Sequence, residues 1–212
     1  MPFLREILLP SAVRAGIWHI TETAAELLSF VQLTESEKIQ YQSFCHDLRK
    51  RQWLAYRAML KHLLFPNSSE ISYDINGKPF LTSGSHQISV THAGEFAAAI
   101  CAENILVGID IEKLKDRVER VKERFMVNAE LESLDTENRL DHLYIYWCGK
   151  EALYKLYGKP ELDFRNDIYI HPFDYLCNTN HTCQATLTID GCGKDYTLCY
   201  QKIEDYMLVV AF

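Results

Sequence analysis

Val107-Gly108-Ile109-Asp110-Ile111-Glu112 decides the reading of this chain, together with Trp147-Cys148-Gly149-Lys150-Glu151-Ala152-Leu153-Tyr154-Lys155 about forty residues later. In the first stretch apolar and acidic residues alternate with the period of a strand. Asp110 and Glu112 therefore leave one face, about 6–7 Å apart at the backbone, while Ile109 and Ile111 leave the other. A largely apolar run from Ala97 to Val107 precedes them, which puts the two carboxylates at the rim of a core. In the second stretch Trp147, Glu151 and Lys155 recur at i, i+4, i+8 and share one face of a helix. Three acids beside a lysine suit a hard divalent cation, with an ammonium for phosphoryl oxygens that the cation leaves uncovered. Each signal alone has a plainer reading. An Asp-x-Glu at a strand end is commonly a solvated edge, and a Glu/Lys pair four residues apart is commonly a surface ion pair of about 0.3–0.5 kcal/mol. Their conjunction at the edge of a core favours a site.

The 212 residues are 48% hydrophobic and 24% charged, enough for a sizeable core in one domain or two close-packed halves. A net charge of −7 argues against general affinity for nucleic acid or anionic membranes, leaving only a local basic patch for such contacts. Seven scattered cysteines without a CxxC, and an opening without a basic and then apolar leader, point to a reducing, cytoplasmic compartment. No run approaches the ~20 apolar residues of a membrane span. Cys177, His181, Cys183 and Cys192 lack the paired knuckle spacing of a zinc site, so unpaired thiols are expected.

Along the chain, strands are expected over 4–9 and 15–20, then helix starts at the capping boxes Thr23-x-x-Glu26 and Thr34-x-x-Glu37. A long helix over 47–64 follows, closed by Phe65-Pro66-Asn67. Strands over 70–75, 87–91, 95–102 and 105–111 come next, with turns at Asn76-Gly77 and Glu103-Asn104. Helix returns over 113–125 and 128–134, then from about 135 or 141 to 157, where Gly158 and Pro160 stop it. Strands over 167–170, 184–189, 196–203 and 206–212 complete the chain, with a turn at Asp190-Gly191-Cys192-Gly193. Each half thus runs through helices to an antiparallel meander. The expected fold is α+β, with two similar lobes, 1–104 and 105–212, related by a pseudo-twofold. Each lobe is a sheet packed with a long helix, and the site lies where the lobes meet.

Four ordered motifs, Gly77-Lys78-Pro79, Ile88-Ser89-Val90-Thr91-His92, Val107 to Glu112, and Trp147 to Lys155 followed by Gly158-Lys159, span residues 77–159. In order and spacing they resemble the 4′-phosphopantetheinyl transferases of the long, two-lobed type, similar to the enzyme that activates surfactin synthetase. The resemblance implies transfer of the phosphopantetheine arm of coenzyme A to a serine of an acyl or peptidyl carrier protein, with release of 3′,5′-ADP. It implies Asp110, Glu112 and Glu151 as Mg²⁺ ligands, Lys155 on the phosphate of the transferred arm, and His92 on the 3′-phosphate of coenzyme A. Gly77-Lys78-Pro79 would lie along the adenine and its phosphate, Arg51 would reach the nucleotide from the first lobe, and Lys38 and Thr91 would add contacts. There are departures: Glu35 falls where some relatives carry a second lysine, Thr91 replaces the more usual serine, and Ala93 replaces a frequent hydroxyl.

For such a substrate, attack by a serine hydroxyl on phosphorus builds charge on the non-bridging and leaving oxygens, and the hydroxyl must lose its proton. Glu151 is the acid placed to take it, directly or through a metal-bound water. Two other functions use similar residues: a catalytically silent module that binds coenzyme A or a carrier, and a Mg²⁺-dependent pyrophosphohydrolase. Which carrier would be served, fatty-acid, polyketide or peptide, is not encoded in these motifs. If the two lobes complete the site in one chain, a monomer suffices. For the carrier, residues 113–125 hold six basic residues against three acids, and Leu114, Val118, Val121 and Phe125 fall on one helical stripe. An amphipathic docking helix is expected there.

Overall fold

The computed structural model describes residues 3–7, 9–10, 13–65, 70–177 and 181–212. Strands β1 (Phe3–Ile7) and β2 (Val13–His19) are followed by helices α1 (Ala24–Leu28), α2 (Glu35–Ser43) and α3 (Asp47–Leu64). Both capping boxes form: the Thr23 and Thr34 hydroxyls accept the N–H of Glu26 and Glu37, whose carboxylates accept in return. Strands β3 (Ile71–Tyr73) and β4 (Pro79–Leu81) make a short ribbon, and β5 (Gln87–Ala93) and β6 (Phe96–Ala102) a hairpin. The second half holds β7 (Gly108–Lys113), α4 (Asn128–Glu132), α5 (Arg139–Tyr157), β8 (Ile168–Ile170), β9 (His181–Ile189), β10 (Cys192–Ile203) and β11 (Tyr206–Ala211). The result is a mixed α and β structure with antiparallel sheets ordered β1-β2-β6-β5 and β7-β11-β10-β9-β8. No helix among the described residues is long and apolar enough to cross a membrane.

Strand β6 shows why its sequence is apolar throughout: it is buried on both faces. Ala97, Ala99 and Cys101 join the core under α3, with Trp53, Leu60 and Ile88. Phe96, Ala98, Ile100 and Ala102 join a separate core, to which the second sheet contributes Ile109, Ile111, Leu208 and Val210. The opposite face of β11, Met207, Val209 and Ala211, packs under α5. Strands buried on both sides lose the apolar/polar alternation.

The two sheets meet edge to edge at β5 and β7. The Ser89 hydroxyl accepts the Ile109 N–H and the Thr91 hydroxyl accepts the Ile111 N–H, both at 3.3 Å. Side chains thus satisfy backbone donors of an edge strand that would otherwise be buried without partners. Ile109 and Ile111 are fully buried, each contributing about 1.5–3 kcal/mol, which pins β7 in this seam.

Several expectations need correction. The chain does bend at Glu103-Asn104, with Asn104 at φ 56, but β7 begins at Gly108 rather than at residue 105: β6 pairs with β2 and β5, β7 pairs with β11, and residues 103–107 carry the chain from one sheet to the other. Residues 113–125 do not form one amphipathic helix. They make two 3₁₀ turns, Asp116–Arg120 and Lys122–Arg124, closed by i+3 bonds such as Val121 N–H to Val118 O at 3.1 Å. The segment is tied at its start, where the Leu114 N–H bonds Asp205 O and both backbone groups of Lys115 bond the Tyr144 hydroxyl. β-Branched Val118 and Val121 further disfavour α-helix. The apolar stripe still faces the core, with Val118 and Phe125 buried and Leu114 and Val121 packed against them. Strand β4 was not expected at all. Pro66 and Asn67, the expected stop after α3, and Leu8 in the first strand lie outside the described residues.

Candidate active site

Gly108 lets β7 approach α5 at backbone contact: a Cβ there would lie 1.9 Å from the Ala152 carbonyl oxygen. That approach brings the Lys155 ammonium to 2.6 Å from Asp110 Oδ1, with further bonds to Thr91 Oγ1 at 3.1 Å and Ile109 O at 3.2 Å. The Thr91 hydroxyl accepts from Lys155 and from the Ile111 N–H, so its one proton goes to Asp110 Oδ1, 3.1 Å away. A serine could do the same, which makes the departure at this position chemically silent for these bonds.

Asp110 is buried, and its second oxygen, Oδ2, has no hydrogen-bond partner. Leaving a buried carboxylate oxygen unpaired costs several kcal/mol, a penalty that a cation ligand would remove. Glu151 and Glu112 line the same cavity. Burial pushes the Glu151 carboxyl up to about 7, with the Asp110 charge raising it further against Lys155. Burial and then Asp110 also raise Glu112, opposed by Arg117, Lys155 and Lys115. Three carboxyls lining one cavity, Asp110, Glu112 and Glu151, are the donor set of a hard cation. Among the described residues, however, no His, Cys, Asp and Glu side chains are gathered closely enough to hold a metal as they stand. Lys155 instead occupies one oxygen of Asp110. The chemistry of the donor set and the unpartnered Oδ2 fit a divalent ion, provided the two glutamates turn inward.

On the wall formed by α3 and β5, His92 Nε2 contacts Arg49 Nη1. Burial, then Arg49 and Lys155, press the His92 imidazole down to about 4, so it is neutral near pH 7. Lys78 crosses to the end of α5, where its ammonium bonds the Leu156 carbonyl at 2.6 Å and its stem covers Gly158. Burial lowers its pKa. Gly158 has φ +76, so its left-handed cap needs glycine even without that contact.

These groups surround one cavity of about 430 Å³. Of the residues singled out in the sequence, Gly77, Lys78, Pro79, Thr91, His92, Asp110, Glu112, Glu151 and Lys155 line it. Lys38 and Arg51 do not. Lys38 pairs with Glu35 at 2.6 Å, and Arg51 Nε lies 2.9 Å from Asp47 Oδ2 without the alignment of a hydrogen bond. Arg49, Tyr56 and Tyr73 also line the cavity, as do Tyr154 and Lys159 of the fourth motif, and the sequence reading gives none of the five a role. Helical spacing held the signal for two of them, because Arg49 and Tyr56 are seven residues apart on one face of α3 and Arg51 is turned away. Lys150, beside Glu151 in the same motif, points instead into the second core. Its buried ammonium bonds Glu130, Phe164 O and Ile168 O at 2.7–2.9 Å.

Residues 106–211 match the 4′-phosphopantetheinyl transferase superfamily. The chain belongs to that superfamily, and β7 and α5, which carry the three acids and Lys155, fall inside the matched half. It is 31% identical to the 4′-phosphopantetheinyl transferase AcpT of Escherichia coli O157:H7 over 119 residues, 52% of this chain and 59% of the relative. It is 29% identical to AcpT of Salmonella typhi over 117 residues, 52% and 60% of the two chains. A putative 4′-phosphopantetheinyl transferase, slr0495 of Synechocystis, is 27% identical over 194 residues, 80% of this chain and 77% of the relative. The chain thus spans under two thirds of the length of the AcpT relatives it matches.

Proposed function

We propose that this protein transfers the 4′-phosphopantetheine arm of coenzyme A to a serine of an apo acyl or peptidyl carrier protein, releasing 3′,5′-ADP. The observation that carries this is Asp110, with one oxygen on Lys155 and the other buried without a partner, in a cavity shared with Glu112 and Glu151.

Asp110, Glu112 and Glu151 would hold Mg²⁺, which when bound supplies positive charge to the pyrophosphate oxygens and lowers the pKa of water beside it. Lys155 would exchange the Asp110 oxygen for a phosphoryl oxygen and meet the charge that grows there during attack. The serine oxygen forms the new bond to phosphorus as the bond to 3′,5′-ADP breaks. The serine proton goes to Glu151 or to a water beside it. Neutral His92, as hydrogen-bond donor, and Arg49, as charge, would receive the 3′-phosphate. Lys78 would reach the nucleotide by leaving the Leu156 carbonyl, and Arg51 and Lys38 by leaving their carboxylates.

In this account residues 1–104 and 105–212 act as two lobes related by a pseudo-twofold, with the site at their seam in a cytoplasmic monomer. The carrier would dock on the basic 3₁₀ segment at 113–125. Incubation with coenzyme A, Mg²⁺ and apo carriers tests the function through its products. Modified carrier plus 3′,5′-ADP supports it. Free phosphopantetheine without carrier dependence would instead mark a pyrophosphohydrolase, and coenzyme A bound but unchanged would mark a silent binding module.

A further inference from the structure

Behind the first-lobe wall of the cavity lies a chain of polar groups whose direction is fixed by chemistry. Arg57 is buried on α3, its guanidinium 3.3 Å above the centre of the Trp53 ring. Its Nε donates to Glu37 Oε1 at 3.1 Å and its Nη1 to the Tyr56 hydroxyl at 2.7 Å. The Tyr56 hydroxyl lies 2.9 Å from that of Tyr73 on β3, and both tyrosines line the cavity.

Arginine only donates, so the Tyr56 oxygen accepts from Arg57. Tyr56 is 2% exposed, and Tyr73 is the sole remaining partner of its hydroxyl in the described structure. The Tyr56 proton therefore goes to the Tyr73 oxygen, because a buried donor left without an acceptor keeps its whole desolvation penalty. Tyr73 keeps its own proton, and it is 38% exposed at the cavity wall. The stacked, ion-paired guanidinium cannot turn to reverse this order. Its positive charge also polarises each bond toward the cavity.

We infer that Arg57, Tyr56 and Tyr73 form a one-way hydrogen-bond relay that makes Tyr73 an obligate donor to the ligand, selecting an acceptor atom on its nucleotide part. The nucleotide part follows from position. Tyr73 is the register partner of Pro79, next to Gly77 and Lys78, on the β3–β4 ribbon rather than on β7 or α5, which carry the acids. The inference rests on the transferase function proposed above. The acceptor is a 3′-phosphate oxygen or a ring nitrogen of the base, which share this chemistry.

The test is calorimetric titration of the intact protein and of its Tyr73→Phe, Tyr56→Phe and doubly substituted forms. The ligands are coenzyme A, 3′-dephospho-coenzyme A, 3′,5′-ADP and 4′-phosphopantetheine. Loss of one such bond should weaken 3′,5′-ADP and coenzyme A about five- to tenfold in Tyr73→Phe, with 4′-phosphopantetheine unchanged. Thermal unfolding should fall somewhat in Tyr73→Phe, because the buried Tyr56 hydroxyl loses its acceptor, but that loss does not create the split between 3′,5′-ADP and 4′-phosphopantetheine that the relay requires. If the Tyr73→Phe loss persists with 3′-dephospho-coenzyme A, the acceptor is the base; if it disappears there, the acceptor is the 3′-phosphate. Tyr56→Phe should cost about as much, and the double variant no more than either single one, as members of one relay behave. An unchanged 3′,5′-ADP affinity in Tyr73→Phe, or fully additive losses, would overturn the relay. Failure of the unsubstituted protein to bind any of the four ligands would instead overturn the proposed function.

Discussion

Lys155 Nζ sits 2.6 Å from Asp110 Oδ1, while Asp110 Oδ2 remains buried without a partner. One carboxylate thus carries the chain's own ammonium on one oxygen and no hydrogen-bond partner on the other. The ammonium comes from α5 and the carboxylate from β7, so the spacing of these two elements governs everything the site can do.

That spacing depends on Gly108. Gly108→Ala would drive a methyl group into the Ala152 carbonyl oxygen, a backbone atom that moves only if α5 moves. Overpacking of this kind costs about 1–3 kcal/mol, and the shift should draw Lys155 away from Asp110. The expected outcome is a lowered urea midpoint together with transfer activity reduced at least tenfold. An active variant of unchanged stability would show that the contact is not what sets the spacing.

Arg49 and Arg51 separate two accounts of nucleotide binding. Arg49 lines the cavity and touches His92, whereas Arg51 faces Asp47. A charge-assisted contact to the 3′-phosphate contributes about 1.5–3 kcal/mol. Arg49→Ala and His92→Ala should therefore weaken coenzyme A roughly ten- to hundredfold while changing 3′-dephospho-coenzyme A little. Arg51→Ala should do less, because the contact Arg51 would gain on the nucleotide is offset by the Asp47 partner it gives up. The ratio of the two affinities in each variant is the measurement, and equal ratios throughout would remove the 3′-phosphate from this wall.

His142 gives the fold a pH dependence away from the site. It is fully buried, stacked on Tyr146 and edge-on to Phe173, and accepts the Asp135 N–H on Nδ1. Burial lowers its pKa from 6.5 to about 4, against the attraction of Asp135 and Asp174. The unfolded chain takes up this proton near the ordinary value and the folded chain does not. Stability from the neutral ring is thus complete above 6.5 and lost as pH falls toward 4. Between about pH 7.5 and about pH 5 the loss is about 2 kcal/mol for this residue. His142→Gln, which keeps an acceptor for Asp135, should lose correspondingly less stability over that range in urea titrations. An identical pH dependence in both proteins would assign the effect elsewhere.

Charge reversal tests the carrier surface. Lys113 pairs with Asp205 and Lys122 with Glu119, whereas the exposed Lys115 and Arg120 have no ion pair among the described residues. Lys115→Glu with Arg120→Glu should raise the carrier KM several-fold and flatten its salt dependence; because the Lys115 charge also reaches Glu112, coenzyme A binding should stay unchanged in Arg120→Glu alone. Unaltered carrier KM and salt dependence would place docking elsewhere.

The sequence was most legible where period and position agree. Ile109 and Ile111 alternate with Asp110 and Glu112, and α5 ends at Gly158, because both patterns follow from local backbone geometry. The 18 residues of α3 also coincide with its apolar period. Residues 113–125 were misjudged because a helical stripe reports which side chains are buried, not which turn buries them. Tertiary ties at Leu114 and Lys115 selected the 3₁₀ form. Arg49 and Tyr73 escaped notice because they join the site only through the meeting of α3, the β3–β4 ribbon and β5. No local pattern encodes that meeting.

The most direct test of the central claim is the intact mass of an apo carrier protein after incubation with coenzyme A and Mg²⁺, run in parallel with the unsubstituted protein and with Asp110→Asn. The expected result is addition of one phosphopantetheinyl group by the unsubstituted protein and essentially none by Asp110→Asn, which keeps the shape of the side chain but loses its charge. Equal modification by the two proteins would contradict the role given to Asp110, and no modification by either, across carriers of all three classes, would contradict the transferase function itself.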